Sequence, residues 1–224
     1  MAGRERQRAA SLATRMAIAE AAAPEFVSNG YAGASLSRIA NRLGLTKGAL
    51  VYHFRAKSDF ASYFVGVVRE ATAQADAFAR AEYPECGSRR LLLHFMLMGA
   101  WRGREPQVAA GMALFVDNAS PTFEADDVIQ DWLNLSIDAF ESCQSRGAFQ
   151  RDMSTREAAE MFLVTNLGSV FFGRHVRLND PDTKPMRFVR LALAAVGVPD
   201  VDEHAQEVIE AYAHRLPQLR INLG

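Results

Sequence analysis

Ser35-Leu-Ser-Arg-Ile-Ala-Asn-Arg-Leu-Gly-Leu-Thr-Lys-Gly-Ala-Leu-Val-Tyr-His-Phe54 holds two helix starts and a helix stop in close succession. Ser35 is placed to cap a short helix, because its hydroxyl can accept an orphan N–H of the first turn. Leu36, Ile39, Ala40 and Leu43 then recur at helical spacing and form one apolar face. Gly44 follows, and glycine can adopt the left-handed conformation that ends a helix and turns the chain. Leu45 can plug the core behind that turn. Thr46 is the next cap, and the helix it starts buries Leu50 and Phe54 while leaving Lys47, Gly48, Ala49, Val51, Tyr52 and His53 variously exposed. Two short helices joined by a tight glycine turn make a helix-turn-helix, whose second helix can enter the major groove of DNA.

The residue types on that second helix suit the task. Gly48 and Ala49 are small, so the start of the helix can approach a duplex closely. Lys47 can reach a guanine edge or a phosphate, and Tyr52 and His53 can donate to phosphate oxygens. Lys57 opens the following helix, where backbone amides and a cation together favour phosphate. The capping residues Ser35 and Thr46 belong to the same candidate interface. Arg4, Arg6 and Arg8 form a basic arm able to follow the backbone or enter a minor groove.

Charge is distributed in the same sense. Residues 1–58 carry nine basic and three acidic side chains, a balance of +6, although the whole chain stands at −1. The remainder therefore carries −7, with 16 basic and 23 acidic groups. A basic head on an acidic body fits a polyanion-binding module joined to a part that does not touch the polyanion.

Further along, apolar residues keep the helical period and no stretch alternates as a strand would. Leu12, Met16, Ala19, Ala22, Ala23 and Phe26 form one stripe, and Phe60, Phe64, Val67, Val68 and Ala71 another. Helices are expected at about 10–28, 36–43, 47–53, 57–82, 88–102, 106–117, 124–146, 155–178, 184–196 and 202–216. Pro24 should kink the first of these or delay its start. The fold class is all-α: a three-helix DNA-binding head over 1–57, and a larger helical domain over 58–224 for ligand binding and dimerisation. With 224 residues the chain can bury a sizeable core. No run is apolar enough to span a membrane and no signal-peptide core follows Met1, so a cytoplasmic protein is expected. Cys86 and Cys143 are too few for a disulfide framework or a zinc site and look like ordinary helix residues. No cofactor is implied. The five histidines show no ligand spacing, and no phosphate loop, nucleophile elbow or acid pair is present, so the chain is not expected to be an enzyme.

The segments "GY", "SLSRIA", "LGLTKGAL" and "YHFRAK", in that order and spacing, resemble the DNA-binding region of the TetR family across residues 12–60. The resemblance implies three helices for DNA, a fourth leading to a ligand-binding and dimerisation region, and DNA contacts at Lys47, Gly48, Tyr52, His53 and Lys57. Val51 stands where that family usually places an aromatic against the phosphate backbone, and Pro24 is unusual for its first helix.

The body is rich in aromatic residues and methionine, which at helical spacing more often form core than a ligand box. Phe95, Met112, Trp132, Phe140 and Thr165 are the candidates for lining an effector pocket, with plain core as the alternative for Trp132. Thr165 and Asn166 interrupt an apolar helix, so they could satisfy helix carbonyls, line a dimer seam or orient a ligand. More weakly, "TKGALVYHF", the Asp131-Trp132 neighbourhood and "FLVTNLGSVFFGRHV" resemble the γ-butyrolactone receptor branch of the family. That branch implies a small lactone or furan with an alkyl tail as effector, near Trp132 and Thr165. A regulator of efflux or catabolism with another lipophilic effector is the competing expectation. Because one helix-turn-helix reads one half-site, a homodimer on palindromic operator DNA is expected, with helices 155–178 and 202–216 as the seam. A helical interaction protein without DNA binding is the remaining possibility, and Val51 is its only support.

Overall fold

The computed structural model describes residues 2–115, 125–145, 147, 153–175 and 186–222. Among them are ten helices and no strand: α1 (Ala2–Gly33), α2 (Leu36–Leu43), α3 (Lys47–His53), α4 (Lys57–Glu82), α5 (Gly87–Arg104), α6 (Pro106–Leu114), α7 (Ala125–Gln144), α8 (Thr155–His175), α9 (Met186–Ala195) and α10 (Val201–Tyr212). The fold is all-α, a helix-turn-helix head followed by a larger helical part. The expected ends at 116–117, 124, 146, 176–178 and 184–185 lie outside the described residues.

α1 departs from expectation twice. It begins at Ala2 rather than near residue 10, because the Arg, Glu, Gln and Ala of the arm are good helix formers even without an apolar face. It also runs through Pro24, and the break falls at Gly30, where φ is 65° and ψ is −177°. Pro24 is exposed, so the ring faces solvent and the missing N–H leaves one helix carbonyl without its usual donor.

By its internal contacts the chain divides into two compact units, residues 1–68 with 102–125, and residues 69–101 with 126–224. In the first, Ala19, Ala22, Ala23 and Phe26 of α1 are fully buried, as are Leu50, Phe54, Phe60 and Phe64. The aromatic rings form one cluster: Phe54 stacks on Phe60 at 3.8 Å, and Phe26 meets Phe60 at 5.7 Å and Phe64 at 5.3 Å. Such pairs contribute about 0.5–1.5 kcal/mol each beyond the area they bury. The Arg15 guanidinium covers the outer side of Phe54 at 4.8 Å. α4 and α6 cross so closely at Gly111 that a β-carbon there would stand 2.4 Å from the Phe64 carbonyl oxygen.

In the second unit, Leu91, Leu92, Leu93 and Leu97 of α5 are buried together with Phe140 of α7 and Phe162 of α8. Phe162 takes Phe95 at 5.3 Å and Phe140 at 5.9 Å, both edge to face. α5 and α7 touch backbone to backbone at Gly87, where a β-carbon would stand 1.9 Å from the Ala139 carbonyl oxygen. Arg80 and Arg90 converge on Asp138 at 2.7 and 2.8 Å. The end of the chain is held by Trp101, whose indole N–H donates to the Leu219 carbonyl at 2.8 Å, and by Gln74, which bonds both ways with the Asn222 backbone.

Candidate nucleic-acid interface and interior site

The head is assembled by local capping. Ser35 Oγ accepts the Arg38 amide at 3.4 Å and starts α2. Gly44 has φ 64° and ψ 22°, and the Leu45 amide reaches back to the Ala40 carbonyl at 2.9 Å, closing the turn. Thr46 Oγ1 accepts the Ala49 amide at 3.1 Å and starts α3. Leu50 and Phe54 anchor α3 from below, each 0% exposed.

One residue essential to this arrangement was not singled out from sequence. Glu25 of α1 is 3% exposed, and its carboxylate accepts the Ser35 amide at 3.2 Å and Arg38 Nε at 2.7 Å. Arg42 adds a longer ion pair at 4.0 Å. A buried carboxylate requires such partners, and here they fix the start of α2 against α1. A lone acid inside an apolar stripe, ten residues ahead of a cap, is the signal that could have revealed it.

The exposed side of α3 consists of Lys47, Gly48 and Ala49 in its first turn and Tyr52 one turn on. Tyr52 is 80% exposed, with the half-buried His53 ring against it at 5.1 Å. A β-carbon on Gly48 would meet nothing nearer than Thr46 Oγ1 at 4.0 Å, so nothing within the head requires this glycine. Lys57 is partly committed: its ammonium donates to the Tyr31 and Ala32 carbonyls, each at 2.9 Å, and lies 5.1 Å from the Tyr31 ring. At most one of its three N–H groups is left for a phosphate. Arg6 is exposed in the arm, while the side chains of Arg4 and Arg8 lie outside the described residues.

Of the expected pocket residues, Met112 belongs to the first unit, half-buried on α6. The other four belong to the second. Phe95 and Phe140 meet through Phe162, as above. Thr165 donates to the Met161 carbonyl at 2.8 Å, and buried Asn166 to the Phe162 carbonyl at 2.8 Å, so both satisfy helix acceptors. Trp132 is 4% exposed, and its N–H donates to Thr72 Oγ1 at 2.8 Å.

Thr72 in turn lines a groove of about 360 Å³ between α4 and α7, together with Arg69, Asp76, Arg80, Asp131 and Leu135. Its charges are paired: Arg69 with Asp131 at 2.9 Å, Arg80 with Asp76 at 2.8 Å. Asp76, Arg80 and Leu135 also border a narrower recess that reaches His94. His94 is 1% exposed, neither ring nitrogen has a partner among the described residues, and burial lowers its pKa to about 4 against an opposing pull from Asp76. Ser136 Oγ is likewise buried with no partner among the described residues. Among the described residues no cluster of three or more His, Cys, Asp or Glu could hold a metal, and no helix is long and apolar enough to cross a membrane.

Residues 18–63 match the model of the bacterial regulatory proteins, tetR family. The chain carries a tetR-family head. Around that head the whole fold also has solved counterparts. A γ-butyrolactone receptor described as ArpA-like is 18% identical, with a TM-score of 0.70 over 93% of this chain and 99% of its own. The TetR-family protein CprB of Streptomyces coelicolor, solved in complex with its biological operator sequence, is 23% identical, with a TM-score of 0.62 over 83% and 98%. SmeT, the repressor of the Stenotrophomonas maltophilia multidrug efflux pump SmeDEF, is 23% identical, with a TM-score of 0.64 over 85% and 94%. Among curated proteins none matches the sequence. The tetR-family match covers the buried Glu25 latch, both caps and the whole of α3.

Proposed function

We propose that this chain is a homodimeric transcriptional regulator that binds palindromic operator DNA in the cytoplasm and is released by a small lipophilic effector. The observation that carries this is the outer side of α3. Gly48 has open space over it, Tyr52 is almost wholly exposed, and the exposed Lys47 and Ala49 flank the glycine. A helix start shaped in this way can lie close to base edges while Lys47 and Tyr52 reach outward. Ser35 and Thr46 hold the two helix starts whose amides can face phosphates, and His53 and Lys57 complete the contact set. The protein binds and does not catalyse.

Pairing of chains is supported by a stripe on α8. Met161, Val164 and Phe172 are exposed at 39%, 71% and 60%, and recur at helical spacing with Gly168 between them. Water-facing apolar residues in such a row suit a two-fold seam with the same helix of a second copy. An effector site is supported by the groove along α4 and α7 and its Thr72–Trp132 bond, with Phe95, Phe140 and Thr165 of the same unit as further candidates. The fold shared with the ArpA-like receptor favours a butyrolactone-type signal, and the fold shared with SmeT favours an efflux or catabolic regulator with another lipophilic effector. Effector binding would shift α4 and move the reading heads off their half-site spacing.

Fluorescence anisotropy of the purified protein on DNA from upstream of its own gene tests this, with salt and a lipophilic culture extract as variables. Tight binding that weakens steeply with salt and is reversed by the extract is expected. Binding to no upstream fragment, or binding indifferent to salt, would refute the DNA assignment; indifference to every extract and lactone tried would refute the effector.

A further inference from the structure

Cys86 and Cys143 are far apart in sequence, yet the fold carries both sulfurs to the start of α5. Cys86 immediately precedes that helix, its carbonyl accepting the Arg90 amide at 3.0 Å. Its sulfur lies 3.3 Å from Ser88 Oγ and 3.3 Å from Arg89 Nη1. Cys143 arrives from α7 with its sulfur 3.0 Å from the point where a β-carbon on Gly87 would stand. The amides of Gly87 and Ser88 face that sulfur; burial, reinforced by the nearby Cys86, raises its thiol to about 11. Ser88 therefore faces one sulfur with its hydroxyl and the other with its amide. The bare backbone of Gly87 is what lets α7 pass near enough for this.

The two thiols differ in access. Cys86 is half-buried and open to a small reagent, whereas Cys143 is 4% exposed and is reached from within. We infer that Cys86 and Cys143 are a redox-modification site, an attacking and a resolving thiol that a hydroperoxide closes to a reversible intramolecular disulfide. The Cys86 sulfur, its proton passing to solvent, attacks the peroxide oxygen; an S–O bond forms, the O–O bond breaks, and the departing oxygen leaves as an alcohol or water. Cys143 then attacks the resulting sulfenic sulfur. The S–S bond forms, the S–O bond breaks, and the oxygen leaves as water with the Cys143 proton. Two thiols are oxidised and one peroxide is reduced.

Cys86 stands beside Arg89 and Ser88, which themselves bind α10 through Glu207 and His204. The bond would tie the start of α5 to α7 next to those contacts.

The test adds hydrogen peroxide to the intact reduced chain, unfolds it under alkylating conditions, and reads the mass and the cross-linked peptides. Joint loss of both alkylatable thiols within a single chain, restored by dithiothreitol, is expected. Cys143→Ala should stop at a Cys86 sulfenic acid that dimedone traps, and Cys86→Ala should leave Cys143 reduced at the same dose. Cys143→Ser serves if the alanine variant does not fold, as judged by circular dichroism. Survival of both thiols, a disulfide joining two chains instead, or undiminished oxidation of Cys143 in Cys86→Ala would overturn the assignment.

Discussion

Gly48 and His94 are each costly where they stand, and each makes a prediction. A glycine inside a helix costs about 1 kcal/mol relative to alanine, and around Gly48 nothing fills the place of the missing methyl. Gly48→Ala should therefore raise thermal stability slightly while weakening operator binding; a variant that is firmer and binds equally well would show that α3 does not approach DNA at this point. His94 is uncharged in the folded chain down to about pH 4, whereas its ordinary value is 6.5. The unfolded chain thus takes up a proton that the folded one refuses between those values. Stability from the neutral ring is complete above 6.5 and is lost as pH falls toward 4, over a span on the order of 3 kcal/mol. His94→Leu should flatten the fall of melting temperature across that window, and an unchanged slope would refute the burial of a neutral ring.

At the level of elements, capping made the head readable in advance. Ser35, Gly44 and Thr46 each act on residues within five of themselves, so their pattern shows in a short window of sequence. Glu25 escaped notice because its partners lie ten and thirteen residues away on another helix. The early start of α1 escaped because propensity, not periodicity, sets it. Helix crossings were equally hidden: nothing local distinguishes Gly111 from other glycines, and only the arrival of Phe64 makes it indispensable. Gly111→Ala should cost about 1–3 kcal/mol through overpacking, despite alanine's better helix propensity. A chemical-denaturation midpoint at or above that of the native chain would mean that α4 and α6 do not cross this tightly.

For the whole molecule, the number and order of the helices among the described residues were legible because the apolar segments are separated by Gly, Pro and Asn punctuation. The interior of the second unit was not. Neither the hydrogen bond from Trp132 to Thr72 nor the enclosure of His94, whose ring nitrogens have no partner among the described residues, shows in any one stretch of sequence. Both outcomes depend on three helices meeting, which no single window of sequence records. Pairing of two copies gives the last prediction. Val164→Asp on the exposed α8 stripe should leave helix content unchanged, shift sedimentation from dimer to monomer, and abolish binding to a full operator at low protein concentration. A dimer of undiminished strength would move the seam elsewhere. The stripe also has a consequence for dosage. Where pairing is incomplete, mass action makes the paired form fall faster than the number of chains. If copies pair on this stripe and bind an operator as proposed, the cell's copy number for this protein would become a signal in itself, and the promoter would respond to dilution at each division even with no effector present.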